Sequence, residues 1–274
     1  MRVTVLGSGS GGNATLIESG GVAILVDAGF SGRDLERRLE AVGVDPASLA
    51  GIVITHDHSD HTRGMGVLAR RFKLPLYLTA RTRDACADLL TGAEPVHLYA
   101  AHEAFQIGPF QIEPFLTVHD AVDPVAVTVR EIGTGDKLGI ATDLGRPTAA
   151  VRHALAGCHL LVLEANHDEA MLWNGPYPWA VKQRIASSHG HLSNRAAAEL
   201  ARELYHPALA GVILAHLSEH CNDRGLAKEV VGEALGAAGY AGLLAVAPQE
   251  RPLEPVDIGA LRARTARAEQ LLLL

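Results

Sequence analysis

Short apolar runs rich in Val and Ile punctuate the chain at 2–6 (RVTVL), 22–27 (VAILVD), 51–55 (GIVIT), 74–79 (LPLYLT), 110–115 (FQIEPF), 125–129 (VAVTV), 137–142 (KLGIAT), 159–164 (HLLVLE), 211–215 (GVILA) and 243–247 (LLAVA). Runs of this length and composition read as buried strands, so nine to eleven strands are expected. Between them the apolar spacing turns helical near 31–42, 62–72, 80–91, 147–156, 177–187, 193–204 and 223–238, with Ser31, Ser193 and Asp223 placed as N-caps and Gly43 and Gly92 as stops. Strands come first, then strands mixed with helices, twice over. That order predicts an α/β protein in which two sheets pack together with helices outside. No close internal repeat appears and no linker forces a boundary, so residues 1–250 read as one domain. Residues 251–274 form a tail, Pro-rich and then an Ala/Arg/Leu helix ending in four leucines, which either docks on the core or serves as a homodimer element.

Composition narrows the class. Of the 274 residues 48% are hydrophobic, enough for a sizeable core, and no apolar run approaches the roughly 18 residues that span a bilayer. The opening MRVTVLGSGSGG has neither the apolar core nor the cleavage site of a signal peptide, so a soluble cytoplasmic protein with no membrane partner is expected. With 24 basic and 31 acidic residues the net charge is −7, which argues against a general basic coat for nucleic acid but leaves room for a local basic groove. Cys86, Cys158 and Cys221 are odd in number and form no CxxC pair, so neither a disulfide framework nor a thiolate zinc cluster is available. Any metal falls to His, Asp or Glu, and the chain holds 14 histidines.

The densest local signal is Thr55-His56-Asp57-His58-Ser59-Asp60-His61, directly after the run GIVIT. In extended backbone His56 and His58 project to one side and can grip one ion. Asp60 and His61 lie past the turn, where the chain enters a helix, and can reach a second. Burying four such residues without partners would cost several kcal/mol each, so metal binding is expected. Three further candidates, His119, Asp143 and His216, also sit where apolar runs end, the edge at which α/β sheets gather ligands. Singly each has a mundane account as a turn or exposed residue; their shared placement is the argument. Asp143, with two oxygens, can bridge two cations about 3.5–4 Å apart, the separation at which a bridging water becomes hydroxide at neutral pH. Asp27, closing AILVD, is placed to orient a histidine, unless it is simply a turn residue before Gly29.

These residues resemble a known family. The HxHxDH run with His119, Asp143 and His216 is similar to the metallo-β-lactamase-fold hydrolases over nearly the whole chain. SGSGGNATLI (8–17), THDHSDH (55–61), HDAVDPV (119–125), ATDLG (141–145), EANHD (164–168), NGPYPW (174–179), GHLSN (190–194) and AHLSE (215–219) look like the YycJ/WalJ branch. The resemblance implies a four-layer αβ/βα sandwich, a two-metal centre, and phosphodiester hydrolysis with 5′-to-3′ exonuclease activity on DNA. It also implies that His56, His58 and His119 bind the first ion, Asp60, His61 and His216 the second, and Asp143 both. Two departures are visible: AHLSEH has His220 where an acidic residue is expected, and His189 precedes the Gly190-His191 pair.

Other groups would meet substrate. The turn Gly7-Ser8-Gly9-Ser10-Gly11-Gly12-Asn13 lacks a P-loop lysine, yet Ser8, Ser10, Asn13 and its backbone N–H groups are able to contact phosphate; a tight turn that merely needs glycine explains it equally. His191, with Ser193 and Asn194, precedes a helix start, where an anion is favoured; it would contact the scissile phosphate or protonate the leaving oxygen. Asn166-His167-Asp168 either borders the site or caps the next helix. Trp173, Tyr177 and Trp179 lie among prolines near Lys182 and Arg184, either holding a nucleic-acid end or packing inward. Arg63, Arg70, Arg71 and Lys73 read as a basic face of the solvated kind.

Three functions follow. The first is a two-metal phosphodiesterase on nucleic acid, DNA foremost, using Mn²⁺ or Zn²⁺, with hydroxide between the ions attacking phosphorus and Asp60 and His191 catalytic. The second is a metal-dependent ester, thioester or lactam hydrolase. The third is a non-catalytic metal-dependent binding protein, against which the retention of all seven ligand-type residues weighs.

Overall fold

The computed structural model describes residues 1–272; Leu273 and Leu274, half of the tail's leucine run, lie outside the described residues. The strands, in chain order, are β1 (Arg2–Gly7), β2 (Ala14–Ser19), β3 (Val22–Val26), β4 (Leu49–Val53), β5 (Leu76–Leu78), β6 (Val96–Leu98), β7 (Phe105–Ile107), β8 (Phe110–Leu116), β9 (Val125–Glu131), β10 (Lys137–Ala141), β11 (Leu160–Glu164), β12 (Gly211–Ala215), β13 (Leu243–Val246) and β14 (Val256–Asp257). The helices are α1 (Gly32–Ala41), α2 (Ser59–Thr62), α3 (Met65–Phe72), α4 (Ala80–Ala85), α5 (Ala149–Leu155), α6 (Glu169–Asn174), α7 (Trp179–Ile185), α8 (Asn194–Leu204), α9 (Arg224–Ala237) and α10 (Ile258–Leu272). The ten apolar runs are all strands. Strands β2, β6, β7 and β14 add to them: three are of two or three residues, too short for a periodic pattern, and β2 carries polar Thr15, Glu18 and Ser19.

The strands form two mixed seven-stranded sheets, in the orders β14-β1-β2-β3-β4-β5-β6 and β13-β12-β11-β10-β9-β8-β7. Each joins an antiparallel meander, β1-β2-β3 or β7-β8-β9, to a parallel run, β3 to β6 or β10 to β13. Parallel strands are covered on both faces and read as continuous apolar sequence, which is why β10, β11 and β12 are buried at every position. Contact density divides the chain into two interleaved units, residues 1–116, 121–134 and 247–256 in one, and 117–120, 135–246 and 257–274 in the other. In the first, Leu16, Leu25, Ile52 and Ile54 of the strand region pack with Leu35, Leu39, Met65 and Leu68 of α1 and α3. Each such side chain contributes roughly 1.5–3 kcal/mol by leaving water. In the second, α10 is tied down by Arg262, which donates to Asp136 Oδ1 at 2.6 Å.

Ser31, Ser193 and Asp223 cap α1, α8 and α9, accepting from Asp34 N, Ala196 N and Leu226 N at 3.3, 3.2 and 3.0 Å. The helix expected over 62–72 is split into α2 and α3 at Gly64, where a Cβ would lie 2.4 Å from the Phe30 carbonyl oxygen. The basic face is solvated and paired: Arg70 binds Glu94 and Arg71 binds Glu36. Trp173 and Trp179 point outward, 42% and 64% exposed, so the proline-rich loop does not bury them.

One glycine fixes the approach of two loops. A Cβ on Gly29 would fall 1.6 Å from the Asp60 carbonyl oxygen, which itself accepts from Asn13 N at 2.8 Å, while Ala28 N donates to the His61 carbonyl at 2.8 Å. Gly29→Ala is expected to lower stability by about 3 kcal/mol, since the Asp60–His61 turn must move. A urea midpoint within error of the parent's would disprove this steric role.

Candidate metal centre

Three strand-end residues take left-handed backbone, Asp27 with φ 61°, Asp143 with φ 60° and His216 with φ 56°. This conformation costs a non-glycine residue roughly 1–2 kcal/mol. Each follows a parallel strand (β3, β10, β12) within two residues, at the carboxyl edge of its own sheet. The strain is held in place by the contacts the three side chains make.

In the first unit the organiser is Asp27. Its Oδ1 accepts from Thr55 N at 2.9 Å, the Thr55 hydroxyl donates to it at 3.0 Å, and its Oδ2 accepts from His61 Nδ1 at 2.8 Å. The proton of His61 is therefore on Nδ1, and its Nε2 lone pair faces Asn13 Nδ2 at 3.2 Å and Asp60 Oδ2 at 3.5 Å. Because the Thr55 hydroxyl donates to Asp27, it accepts from His56 Nδ1 at 3.0 Å, which puts the His56 proton on Nδ1 as well. The His56 ring lies 4.1 Å from that of His61 and 4.8 Å from that of His58, so the HxHxDH run does gather its rings. Asn13 is absorbed into this set: Nδ2 is 3.2 Å from Asp60 Oδ2, and Oδ1 accepts from Ser8 Oγ at 2.8 Å and Gly9 N at 3.1 Å. Ser10 remains on the surface.

In the second unit the organiser is Glu164, which the sequence reading passed over. It is fully buried, with Oε1 accepting from His191 Nδ1 at 2.8 Å and His216 Nδ1 at 3.0 Å, and Oε2 from Leu144 N at 2.9 Å and Leu192 N at 3.0 Å. Burial works to raise this carboxyl, but the charge and hydrogen bond of His191 and the hydrogen bond of His216 outweigh it and bring it to about 2. His119 Nδ1 donates to the Gly190 carbonyl at 3.1 Å. His119 Nε2 and His216 Nε2 then stand 3.5 and 3.7 Å from the same atom, Asp143 Oδ1. Donor atoms of Asp143, Glu164, His191 and His216 all fall within 4.8 Å of one another. The available signal for Glu164 was its position: it closes an apolar strand as Asp27 does.

The donor chemistry fits a metal. Where the imidazole lone pairs of His119 and His216 face Asp143 Oδ1, acceptor meets acceptor, and a divalent cation is what such an arrangement attracts. The outer ring nitrogens are already bonded to Asp27, Thr55, Glu164 and the Gly190 carbonyl, the pattern that makes an imidazole a good ligand. Other candidates have structural work. Ser193 caps α8, and its hydroxyl also donates to Glu169 Oε1 at 3.2 Å; Asn194 exchanges two hydrogen bonds with Asn222 at 2.8 and 2.9 Å. Asp168 caps α6 at 2.8 Å, Asn166 Nδ2 donates to the His216 carbonyl at 2.9 Å, and burial holds the His167 imidazole below its ordinary value.

Strand-edge imidazoles steadied by buried carboxylates define a metal-dependent hydrolase of the β-lactamase superfamily. The chain belongs to that family: the model of the beta-lactamase superfamily domain matches residues 23–216. Within it the chain falls in the YycJ/WalJ branch. It is 33% identical over 242 residues to "Exodeoxyribonuclease YycJ" of Bacillus anthracis, covering 88% of this chain and 91% of that protein. To "Exodeoxyribonuclease WalJ" of Streptococcus pneumoniae it is 34% identical over 230 residues, 82% and 85% of the two chains. The crystal structure of the metallo-β-lactamase-fold protein YhfI from Bacillus subtilis superposes with a TM-score of 0.71 at 21% identity, covering 92% of this chain and 99% of that one, a likeness of fold.

Glu164→Gln, which keeps the shape and removes the charge, is expected to weaken metal binding 10- to 100-fold, the usual cost of losing an outer partner of a ligating histidine. Titration against a competing chelator measures it, and unchanged affinity would show that Glu164 serves the fold alone.

Proposed function

We propose that this protein is a cytoplasmic two-metal nuclease, a 5′-to-3′ DNA exonuclease, in which the two strand-edge sets act on the same pair of ions. His56, His58 and His119 hold the first, Asp60, His61 and His216 the second, and Asp143 both. The observation that carries the reading is Asp143 Oδ1 standing before two imidazole lone pairs, 3.5 and 3.7 Å away. The names of the two relatives, which match over most of both chains, support DNA as the substrate. Three buried free cysteines suit a reducing compartment, and among the described residues no helix is long and apolar enough to cross a membrane.

Two divalent cations, Mn²⁺ or Zn²⁺, would supply an activated water and positive charge for the phosphoryl oxygens. The chain's residues do the rest. Asp27 and Glu164 keep His61 and His216 from rotating, so the ligand geometry is set before substrate arrives. His191 has its Nδ1 held by Glu164 and its side chain 20% exposed, which gives it one fixed edge and one edge open to substrate. From there it hydrogen-bonds a nonbridging oxygen or delivers a proton to the departing alkoxide.

End-labelled single- and double-stranded DNA and RNA, incubated with protein loaded with each metal, test the activity; a protein that hydrolyses a thioester far better than any nucleic acid would replace this reading with the carbonyl hydrolase. Asp143→Ala is expected to lower occupancy of both ions in elemental analysis, and loss of one ion alone would remove its bridging role. His191→Ala should slow single-turnover cleavage by about 10²- to 10⁴-fold with metal content nearly unchanged. Metal lost in step with activity would make His191 a ligand instead.

A further inference from the structure

The chain has two tryptophans, and both are exposed at one place. The rings of Trp173 and Trp179 lie 5.3 Å apart at 39°, and Val181 beside them is 38% exposed. Tryptophan carries a large apolar surface that ordinarily stays in the core or at an interface, so a solvent-facing pair points to a ligand. Their scaffold is equally unusual: α7 has no buried residue, and a helix of seven residues is not stable in water by itself.

Its attachments explain how it persists. Lys182 Nζ donates to the Trp173 carbonyl at 2.8 Å and Arg184 pairs with Asp120. At its end Ile185 O accepts from His191 N at 2.9 Å, and Gly190 allows the close approach, since a Cβ there would lie 2.2 Å from the carbonyls of Arg184 and Ile185. The exposed helix is thus fastened directly to the segment that carries His191. Seven residues span roughly 10 Å. That is about three nucleotides at a stacked spacing of roughly 3.4 Å.

We infer that Trp173 and Trp179, with Lys182, form a stacking platform for unpaired nucleotides of a nucleic-acid strand, next to the one being cleaved. The inference takes its ligand class from the nuclease reading. Two π-faces grip bases without regard to sequence, which suits an enzyme that works along a strand. Lys182 sits on the same helix as Trp179 and has ammonium donors beyond the one given to the Trp173 carbonyl, whereas Arg184 and Asp120 offset each other.

Because both emitters lie in the patch, intrinsic tryptophan fluorescence reads it directly. Metal-loaded protein titrated with a short oligothymidylate carrying cleavage-resistant phosphorothioate linkages should show quenched fluorescence. Trp179→Ala should weaken binding roughly 5- to 150-fold, with Trp179→Phe recovering part and Ile132→Ala, an exposed apolar residue elsewhere, none of the loss. If the alanine variant does not fold, the wild-type quenching and the phenylalanine variant decide. Oligonucleotide that binds by anisotropy without quenching, or binds the alanine variant at wild-type strength, would overturn the platform; so would variants that convert a dimer to a monomer at constant affinity, the signature of an interface between copies. Wild-type protein that cleaves duplex ends but shows no quenching sinks the platform alone, and protein that neither binds nor cleaves nucleic acid sinks the nuclease reading with it.

Discussion

Each unit gathers its histidines around one buried carboxylate, Asp27 in the first and Glu164 in the second. Ionised groups are expensive to remove from water, and Asp27 and Glu164 are kept inside because each is met by a full set of donors: Thr55 and His61 for one, His191, His216 and backbone N–H groups for the other. The same bonds fix which nitrogen of each imidazole carries the proton. A buried charge that would otherwise be a liability therefore becomes the means of presenting lone pairs to a cation.

Parallel strands explain where this happens. They must be apolar along their length, so the first polar residue after each one arrives at the carboxyl edge of its own sheet. A left-handed residue stands at that place in each sheet, Asp27 in one and Asp143 and His216 in the other. Gly29 and Gly190 extend the same logic to backbone approach, letting the Asp60 loop and α7 come nearer than any side chain would allow. The backbone strain is local and the hydrogen bonds that hold it are the ones that orient the ligands.

The identity of the branch and the individual chemistry of this chain rest on different features. Ligand-type residues are shared across the superfamily fold, whereas the NGPYPW segment leads into an exposed helix whose aromatic pair the metal chemistry does not use. That helix is joined to the segment carrying His191 by the hydrogen bond from His191 N to the Ile185 carbonyl.

The sequence by itself determined the ten apolar strands and the three helix caps and named seven ligand-type residues as candidates, because burial and capping leave periodic or strand-end signals that need no partner to be read. It also marked Asp27, from its place at a strand end. Tertiary structure alone decided that Glu164 is the second organiser, since one carboxylate joins His191 and His216, which are distant in sequence. It likewise drew Asn13 toward Asp60 and turned the two tryptophans outward, when composition allowed either direction. Short strands such as β6 and β14 were invisible for a related reason: a strand of two or three residues has no period and exists only because a neighbour offers its hydrogen bonds.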